Sequence, residues 1–224
     1  QRSLYQSMRN LTHHVFTRLA SGRGRLPEET AADAARLLDL RDALLHRFQE
    51  VSSRSYEGSR IRIHGDYELD QILYTGSDFV VYDFEADADD STGERRVKRS
   101  PLRDVASMIR SFDYAAHAAL FDLHDKQGRP PGMVREEDRA ALEPWARRWR
   151  DRVTQQFIDA YLENLNAPGL LPDDRADLDT LLRILLLERA LDDVARDLAR
   201  RPTWVGIPIR AILRELEGVE VATS

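Results

Sequence analysis

The 224-residue chain contains no cysteine. Disulfide bonds, thiolate nucleophiles and sulfur-ligated metal sites are therefore excluded, and any bound metal must be held by oxygen or nitrogen atoms. The sequence also lacks the roughly twenty consecutive apolar residues that a membrane-crossing helix needs, and its N-terminus lacks the basic-then-apolar layout of a signal peptide. We therefore expect a cytoplasmic protein that has no membrane partner.

An excess of basic charge is absent as well. The chain has 33 Lys and Arg residues against 39 Asp and Glu residues, for a net charge of −6. This balance argues against nucleic acid as a partner. The apolar content of 42% is ordinary for a globular protein. Because the chain begins at Gln1 rather than at Met, we interpret it as a fragment of a longer protein.

Most of the chain has the apolar spacing of amphipathic helices. Helices are predicted over residues 3–20 and 28–51, and another begins in KRSPLRDV. Two long helices and a short last one are predicted over residues 136–165, 177–201 and 209–218. The sequence therefore predicts a mainly α-helical fold with one small β insertion.

The β insertion lies between Arg60 and Phe84, where β-branched and aromatic residues dominate. IRIH, QILY and FVVYDF are the predicted strands, and the turn TGSD joins the last two into a hairpin. A hairpin returns to its starting point, so Asp83 is expected near the loop that carries Asp66 and Gln71. Two carboxylates and an amide should then converge.

This set of side chains suits phosphoryl transfer. That reaction needs an Asp to accept the proton of the attacking hydroxyl, and oxygen ligands to hold Mg²⁺ on the phosphates of ATP. Protein kinases use a catalytic-loop Asp, an Asn five residues later and a metal-binding Asp in Asp-Phe-Gly. Here Asp83 follows Asp66 by 17 residues. His-Gly-Asp alone could be a turn and Asp-Phe-Glu could end any edge strand, but together they favour a kinase-like loop.

Several stretches of the sequence resemble the bacterial maltokinases, which include the maltokinase domain fused to trehalose synthase. These stretches are LYQSMRNL, HGDYxLxQ followed by DFE, KRSPLRDVASMIRSFDYAA, and LLLERALDDVARDLARRPTWVGIPIRAI. The resemblance implies the C-terminal lobe of an aminoglycoside-phosphotransferase-like kinase fold. It further implies ATP-dependent phosphorylation of maltose to maltose 1-phosphate, with fusion to, or a complex with, trehalose synthase.

The resemblance also implies roles for individual residues. Asp66 would be the catalytic base. The Mg²⁺ ligands would be Gln71, Asp83 and Glu85. The catalytic loop would be supported by His64, Arg103 and Asp104, although Asp104 could equally be an ordinary acidic residue of a first helical turn.

Five further positions are candidate contacts to the sugar. Glu68 and Asp70 stand where the family usually has His and Gly, and Asp192 and Arg196 stand where Tyr residues are expected. Trp204 could stack on a pyranose ring, or it could simply anchor the last helix. These departures from the family make phosphorylation of a different sugar an open alternative to maltose.

The N-terminal, ATP-binding lobe of a kinase is absent from this sequence, because no Gly-rich loop precedes a strand lysine. We divide the chain into N-terminal helices (1–59), a catalytic loop with a metal-binding hairpin (60–99) and a helical subdomain (100–224). The chain alone should be inactive or nearly so. An alternative function is a structural or assembly module of a trehalose synthase fusion, with weakened or no kinase activity. Trp145 and Trp149 are four residues apart and are predicted to form a core or lobe contact.

Overall fold

A computed structural model describes residues 2–52, 56–84, 98–121 and 134–218. Within these ranges the chain forms seven α-helices and a hairpin of two strands. The helices are α1 (Arg2–Gly22), α2 (Glu28–Asp39), α3 (Arg41–Ser52), α4 (Leu102–Phe121), α5 (Arg139–Glu163), α6 (Arg175–Arg200) and α7 (Gly206–Leu216), and the strands are β1 (Ile72–Tyr74) and β2 (Phe79–Val81). The expectation of a mainly helical chain with one small hairpin is confirmed.

Two predicted elements differ from the structure. The single helix expected over residues 28–51 is broken at Leu40, where the backbone turns before α3 begins, although the sequence has neither Gly nor Pro there. IRIH does not form a strand, because only Ile61 pairs with another segment, in an isolated bridge to Arg99. The alternating apolar pattern therefore produced one backbone bridge rather than a ladder.

The chain forms two compact units that interleave along the sequence. One consists of Gln1–Ser55, Asp113–Arg152 and Leu187–Ser224, and the other of Tyr56–Phe112 and Val153–Leu186. We call them the terminal unit and the loop unit. Our division of the chain into 1–59, 60–99 and 100–224 follows sequence order and stays a prediction.

The terminal unit is built on helix pairs that bury their apolar stripes. Helix α1 packs against α3, and α2 packs against α7. Gly206 allows the second pair to approach closely, since a Cβ atom at that position would lie 3.2 Å from the Thr30 hydroxyl oxygen. Arg210 of α7 also donates to Asp33 and Glu29 of α2, at 2.8 and 2.6 Å. Close packing and ion pairs therefore join α2 to α7.

A buried carboxylate links three helices of the terminal unit. Asp113 of α4 is 2% exposed and accepts hydrogen bonds from Arg150 of α5 at 3.3 Å and from Arg214 of α7 at 2.9 Å. His117 Nδ1 lies 2.8 Å from the Asp113 main-chain oxygen. Burial alone would lower the pKa of Arg150, but the charges of Asp113 and Asp151 and hydrogen bonds to them raise it above 12.5. Arg150 therefore stays charged against Asp113.

The loop unit has its own apolar core. It is formed by the start of α4, the end of α5 and the start of α6, with the core residues Leu102, Val105, Ala106, Leu171, Leu178, Leu182 and Leu185. The hairpin is exposed by comparison, since Tyr74 and Phe79 are each 66% exposed while their rings pair across the strands at 5.1 Å. None of the helices in the described part of the chain is long and apolar enough to cross a bilayer.

Two tryptophans contradict the packing predicted from their spacing. Trp145 is 68% exposed on α5 and Trp149 is 47% exposed. The prediction of a core stripe is therefore wrong for these residues, because helical spacing shows that two side chains share a face but not which way that face points.

Candidate active site

The hairpin brings the segment before β1 next to the segment after β2. The strands pair antiparallel with Ile72 opposite Val81. The pairing continues for one more residue, because the Tyr82 N–H donates to the Gln71 carbonyl at 3.1 Å. The Tyr82 hydroxyl also donates to the Asp70 carbonyl at 2.5 Å. Asp83, which follows Tyr82, therefore lies beside the turn that carries Gln71.

The segment His64-Gly65-Asp66 forms the loop before this turn. Gly65 has φ +94°, a left-handed conformation that disfavours residues with a Cβ atom. His64 is 7% exposed, and its Nε2 atom lies 2.9 Å from the Tyr82 carbonyl. Its Nδ1 atom accepts the Asp66 N–H at 3.4 Å. Since a carbonyl only accepts and an N–H only donates, these partners assign the proton to Nε2. The imidazole thus connects the loop of Asp66 to the end of the hairpin.

Asp104, at the start of α4, binds the backbone of the same loop. Its two carboxylate oxygens accept the His64 N–H at 2.8 Å and the Gly65 N–H at 2.9 Å. Both donors belong to residues that directly precede Asp66. Arg103, its neighbour, is half-buried, and its own N–H donates to the Ser100 carbonyl. The structure therefore places Asp104, but not the Arg103 backbone, in direct contact with the loop.

Three further residues at this site were not identified from the sequence. Ser111, two turns after Asp104 on α4, accepts the Leu69 N–H at 2.9 Å. Burial, and secondly the charge of Asp104, raises the pKa of Tyr67 and of Tyr161 above the ordinary value of 10.0. The seven-residue spacing of Asp104 and Ser111 puts both on one helix face, and this was the one sequence signal available.

The predicted metal ligands show two unusual features. The Gln71 Oε1 atom is buried and has no hydrogen-bond partner among the described residues. Asp83 has φ +60°, which is uncommon for a residue other than glycine and is often found at functional sites. A buried amide oxygen without a donor, beside a carboxylate-bearing residue, fits the hard oxygen ligands of Mg²⁺.

The metal site is not a cluster of acidic or imidazole side chains. In the described ranges no three His, Asp or Glu side chains are grouped so that they could hold an ion. An amide ligand such as Gln71 is not counted in such a group. Glu85, the third predicted ligand, lies outside the described residues.

The predicted sugar contacts are divided between the two units. Glu68 is half-buried and Asp70 is exposed in the loop unit, within four residues of Asp66. In the terminal unit, Asp192 is exposed and Arg196 donates to Asp193 at 2.7 Å. Trp204 has the Arg201 guanidinium 4.7 Å from its ring centre and the Tyr114 ring stacked at 6.2 Å. Those contacts give Trp204 packing partners within its own unit.

Comparisons with known proteins point to one kind of enzyme. No family model matches the chain. A glucosamine kinase from Streptacidiphilus jiangxiensis is 26% identical over 148 residues, which are 66% of this chain and 30% of that protein. A solved glucosamine kinase in complex with glucosamine, ADP and inorganic phosphate has a TM-score of 0.68, with 21% identity over 93% of this chain and 44% of that one. Another crystal form has a TM-score of 0.66 with 19% identity, covering 93% of this chain and 46% of that one.

These likenesses show the fold. The chain has the fold of a part of the glucosamine kinases, and it spans less than half of the length of the matched proteins. The expectation of a partial kinase-like fold is therefore supported by solved structures. Maltokinases are not among these matched proteins.

Proposed function

We propose that this chain is the acceptor-side part of an ATP-dependent sugar kinase. The observation that carries the proposal is the convergence of three segments of the loop unit: the loop of Asp66, the turn of Gln71 with its unpartnered amide oxygen, and Asp83. This arrangement occurs in a fold shared with the glucosamine kinases.

In the proposed reaction, Asp66 acts as the base. Its carboxylate accepts the proton of a sugar hydroxyl, the oxygen forms a bond to the γ-phosphorus of ATP, and the bond from that phosphorus to ADP breaks. Mg²⁺ would neutralise charge on the phosphates, and Gln71 and Asp83 are the described residues that would hold it. Asp104 and His64 keep the backbone around Asp66 in place.

We propose an amino sugar such as glucosamine as the acceptor. The matched proteins are named as glucosamine kinases, and one of them was solved with glucosamine. In this chain, Glu68 and Asp70 add two carboxylates within four residues of Asp66. Close carboxylates repel one another, and the ammonium group of an amino sugar would offset that repulsion. Maltose is the second candidate, on the strength of the motifs that resemble maltokinases, and association with trehalose synthase stays a prediction.

The test uses the full-length protein with Mg²⁺, ATP and a panel of sugars, and detects the phosphorylated product by ³¹P NMR. We expect the highest kcat/KM with glucosamine, and a marked loss with N-acetylglucosamine because acetylation removes the positive charge. Glu68→Gln and Asp70→Asn should raise KM for glucosamine and leave KM for ATP unchanged. Preference for maltose would support the second candidate. Failure to phosphorylate any sugar would favour the structural-module alternative.

A further inference from the structure

Helix α4 contacts the candidate catalytic segment at two levels. Asp104 binds the backbone of His64 and Gly65, just before Asp66. Ser111 binds Leu69, just after it, with 2.9 Å between the Leu69 nitrogen and the Ser111 Oγ atom. Seven residues are about two helical turns, so the two side chains lie on the same face of α4. One helix face therefore holds both sides of the loop.

The second contact fixes the short turn that carries Gln71. Leu69 is the first residue of the 3₁₀ turn Leu69–Gln71. Within this turn the Gln71 N–H donates to the Glu68 carbonyl at 3.0 Å, and at its far end the Gln71 carbonyl accepts the Tyr82 N–H at 3.1 Å. Isolated 3₁₀ turns have poor hydrogen-bond geometry and depend on such outside contacts. The Ser111 hydroxyl supplies the contact at the start of the turn.

Both the hydroxyl of Ser111 and the amide oxygen of Gln71 are removed from solvent. Ser111 is 8% exposed. The Gln71 Oε1 atom is buried without a hydrogen-bond partner among the described residues, so no other contact of that oxygen sets its position. Its position instead depends on the backbone turn to which it is attached.

We propose that Ser111 is a positioning residue for the metal ligand Gln71. By accepting the Leu69 N–H, Ser111 holds the turn where the Gln71 amide oxygen can reach a divalent cation. This inference rests on the proposed function, which makes Gln71 a Mg²⁺ ligand. Removing the hydroxyl leaves a backbone donor without its acceptor, and the turn shifts to find another.

The test compares Ser111→Ala with Ser107→Ala in the full-length protein. Ser107 is a matched control, because it lies one turn earlier on α4, is 3% exposed, and makes no hydrogen bond to the loop among the described residues. Mn²⁺ affinity is measured by electron paramagnetic resonance in the presence of ADP. Loss of one hydrogen bond of about 1 kcal/mol corresponds to a loss of affinity of about fivefold. We expect that loss for Ser111→Ala alone, with KM for the sugar unchanged.

Hydrogen exchange gives a second readout that does not depend on a folded variant. The Leu69 amide should be protected in the unmodified protein, and it should exchange faster in Ser111→Ala but not in Ser107→Ala. A Leu69 amide that is unprotected in the unmodified protein, or equal Mn²⁺ affinities of the two variants, would overturn the role of Ser111. Failure of the proposed function is distinguishable, because it would appear as full turnover by Asp66→Asn while the Mn²⁺ effect of Ser111→Ala persisted.

Discussion

Helix α4 carries two aspartates that have different partners. Asp104 accepts two backbone N–H groups of the loop before Asp66. Asp113, nine residues later, is paired with the guanidinium groups of Arg150 and Arg214. A carboxylate bound to backbone amides sets the position of a loop, whereas a buried carboxylate bound to cations links helices. We therefore infer that Asp104 serves the candidate chemistry and that Asp113 serves the fold.

The largest stability effect is expected at Asp113. In Asp113→Asn two buried or half-buried arginines lose the negative charge that they face, and breaking such a group costs about 3 to 5 kcal/mol. Chemical denaturation of the full-length protein measures the change in the free energy of unfolding. Glu217→Gln is the control, because the Arg36–Glu217 pair is exposed at both ends and exposed pairs contribute only about 0 to 1 kcal/mol. Equal changes in the two variants would contradict the role given to Asp113.

A smaller stability effect and a larger loss of activity are expected at Asp104. Asp104→Ala leaves the His64 and Gly65 amides without their acceptors, at a cost of about 2 to 3 kcal/mol. Because the displaced residues directly precede Asp66, kcat should fall by far more than in an Asp113 variant of similar stability. Steady-state kinetics and amide exchange at residues 64 and 65 are the measurements. Normal kcat with rapid exchange of both amides would separate Asp104 from the chemistry.

Asp83 distinguishes backbone strain from metal binding. Its φ of +60° is tolerated by glycine and disfavoured for alanine by about 1 to 2 kcal/mol. Asp83→Gly should therefore be more stable than Asp83→Ala by about 1 kcal/mol, whereas both variants should lose Mg²⁺-dependent nucleotide binding. Thermal unfolding and calorimetric titration with Mg·ATP separate the two effects. If either variant kept the Mg²⁺ dependence of the unmodified protein, Asp83 would not be a ligand.

The smallest effect concerns the tyrosines near Asp104. Because burial, followed by the Asp104 charge, raises the pKa of Tyr67, its phenol keeps its proton to a higher pH in the folded state than in the unfolded one. The resulting stability is fully present below about pH 10 and is lost as the pH rises through the folded-state pKa. Tyr67→Phe should flatten this alkaline loss, and Tyr74→Phe, on the exposed hairpin, should not. Denaturation curves between pH 8 and pH 11 would show the difference, and identical slopes would count against it.

The sequence predicted the parts of the fold that depend on local pattern. The apolar period identified α4, and the turn TGSD between two β-rich runs identified the hairpin, which in turn predicted that Asp83 would return toward Gln71. The break at Leu40 was missed because no Gly or Pro marks it. IRIH was taken for a strand because alternation does not reveal whether a partner strand exists.

Contacts across long sequence separations were harder to predict. The bond between Ser111 and Leu69 joins residues 42 positions apart, and no motif marks Ser111 as an acceptor. The exposure of Trp145 depends on which face of α5 is covered, and the spacing of residues within the helix does not determine that. The resemblance to maltokinases led to a kinase-like fold, which solved glucosamine kinases support, but it did not identify the sugar.

The central claim is that Asp66 is the base of a sugar kinase, and single-turnover phosphoryl transfer by Asp66→Asn tests it most directly. The full-length protein and the variant are mixed with Mg²⁺, labelled ATP and excess glucosamine, and the rate of sugar phosphate formation is measured by rapid quench. We predict a rate lower by about 100- to 10,000-fold, because the amide cannot accept the hydroxyl proton, with an unchanged unfolding temperature. A variant that transfers the phosphoryl group at the unmodified rate would contradict the account.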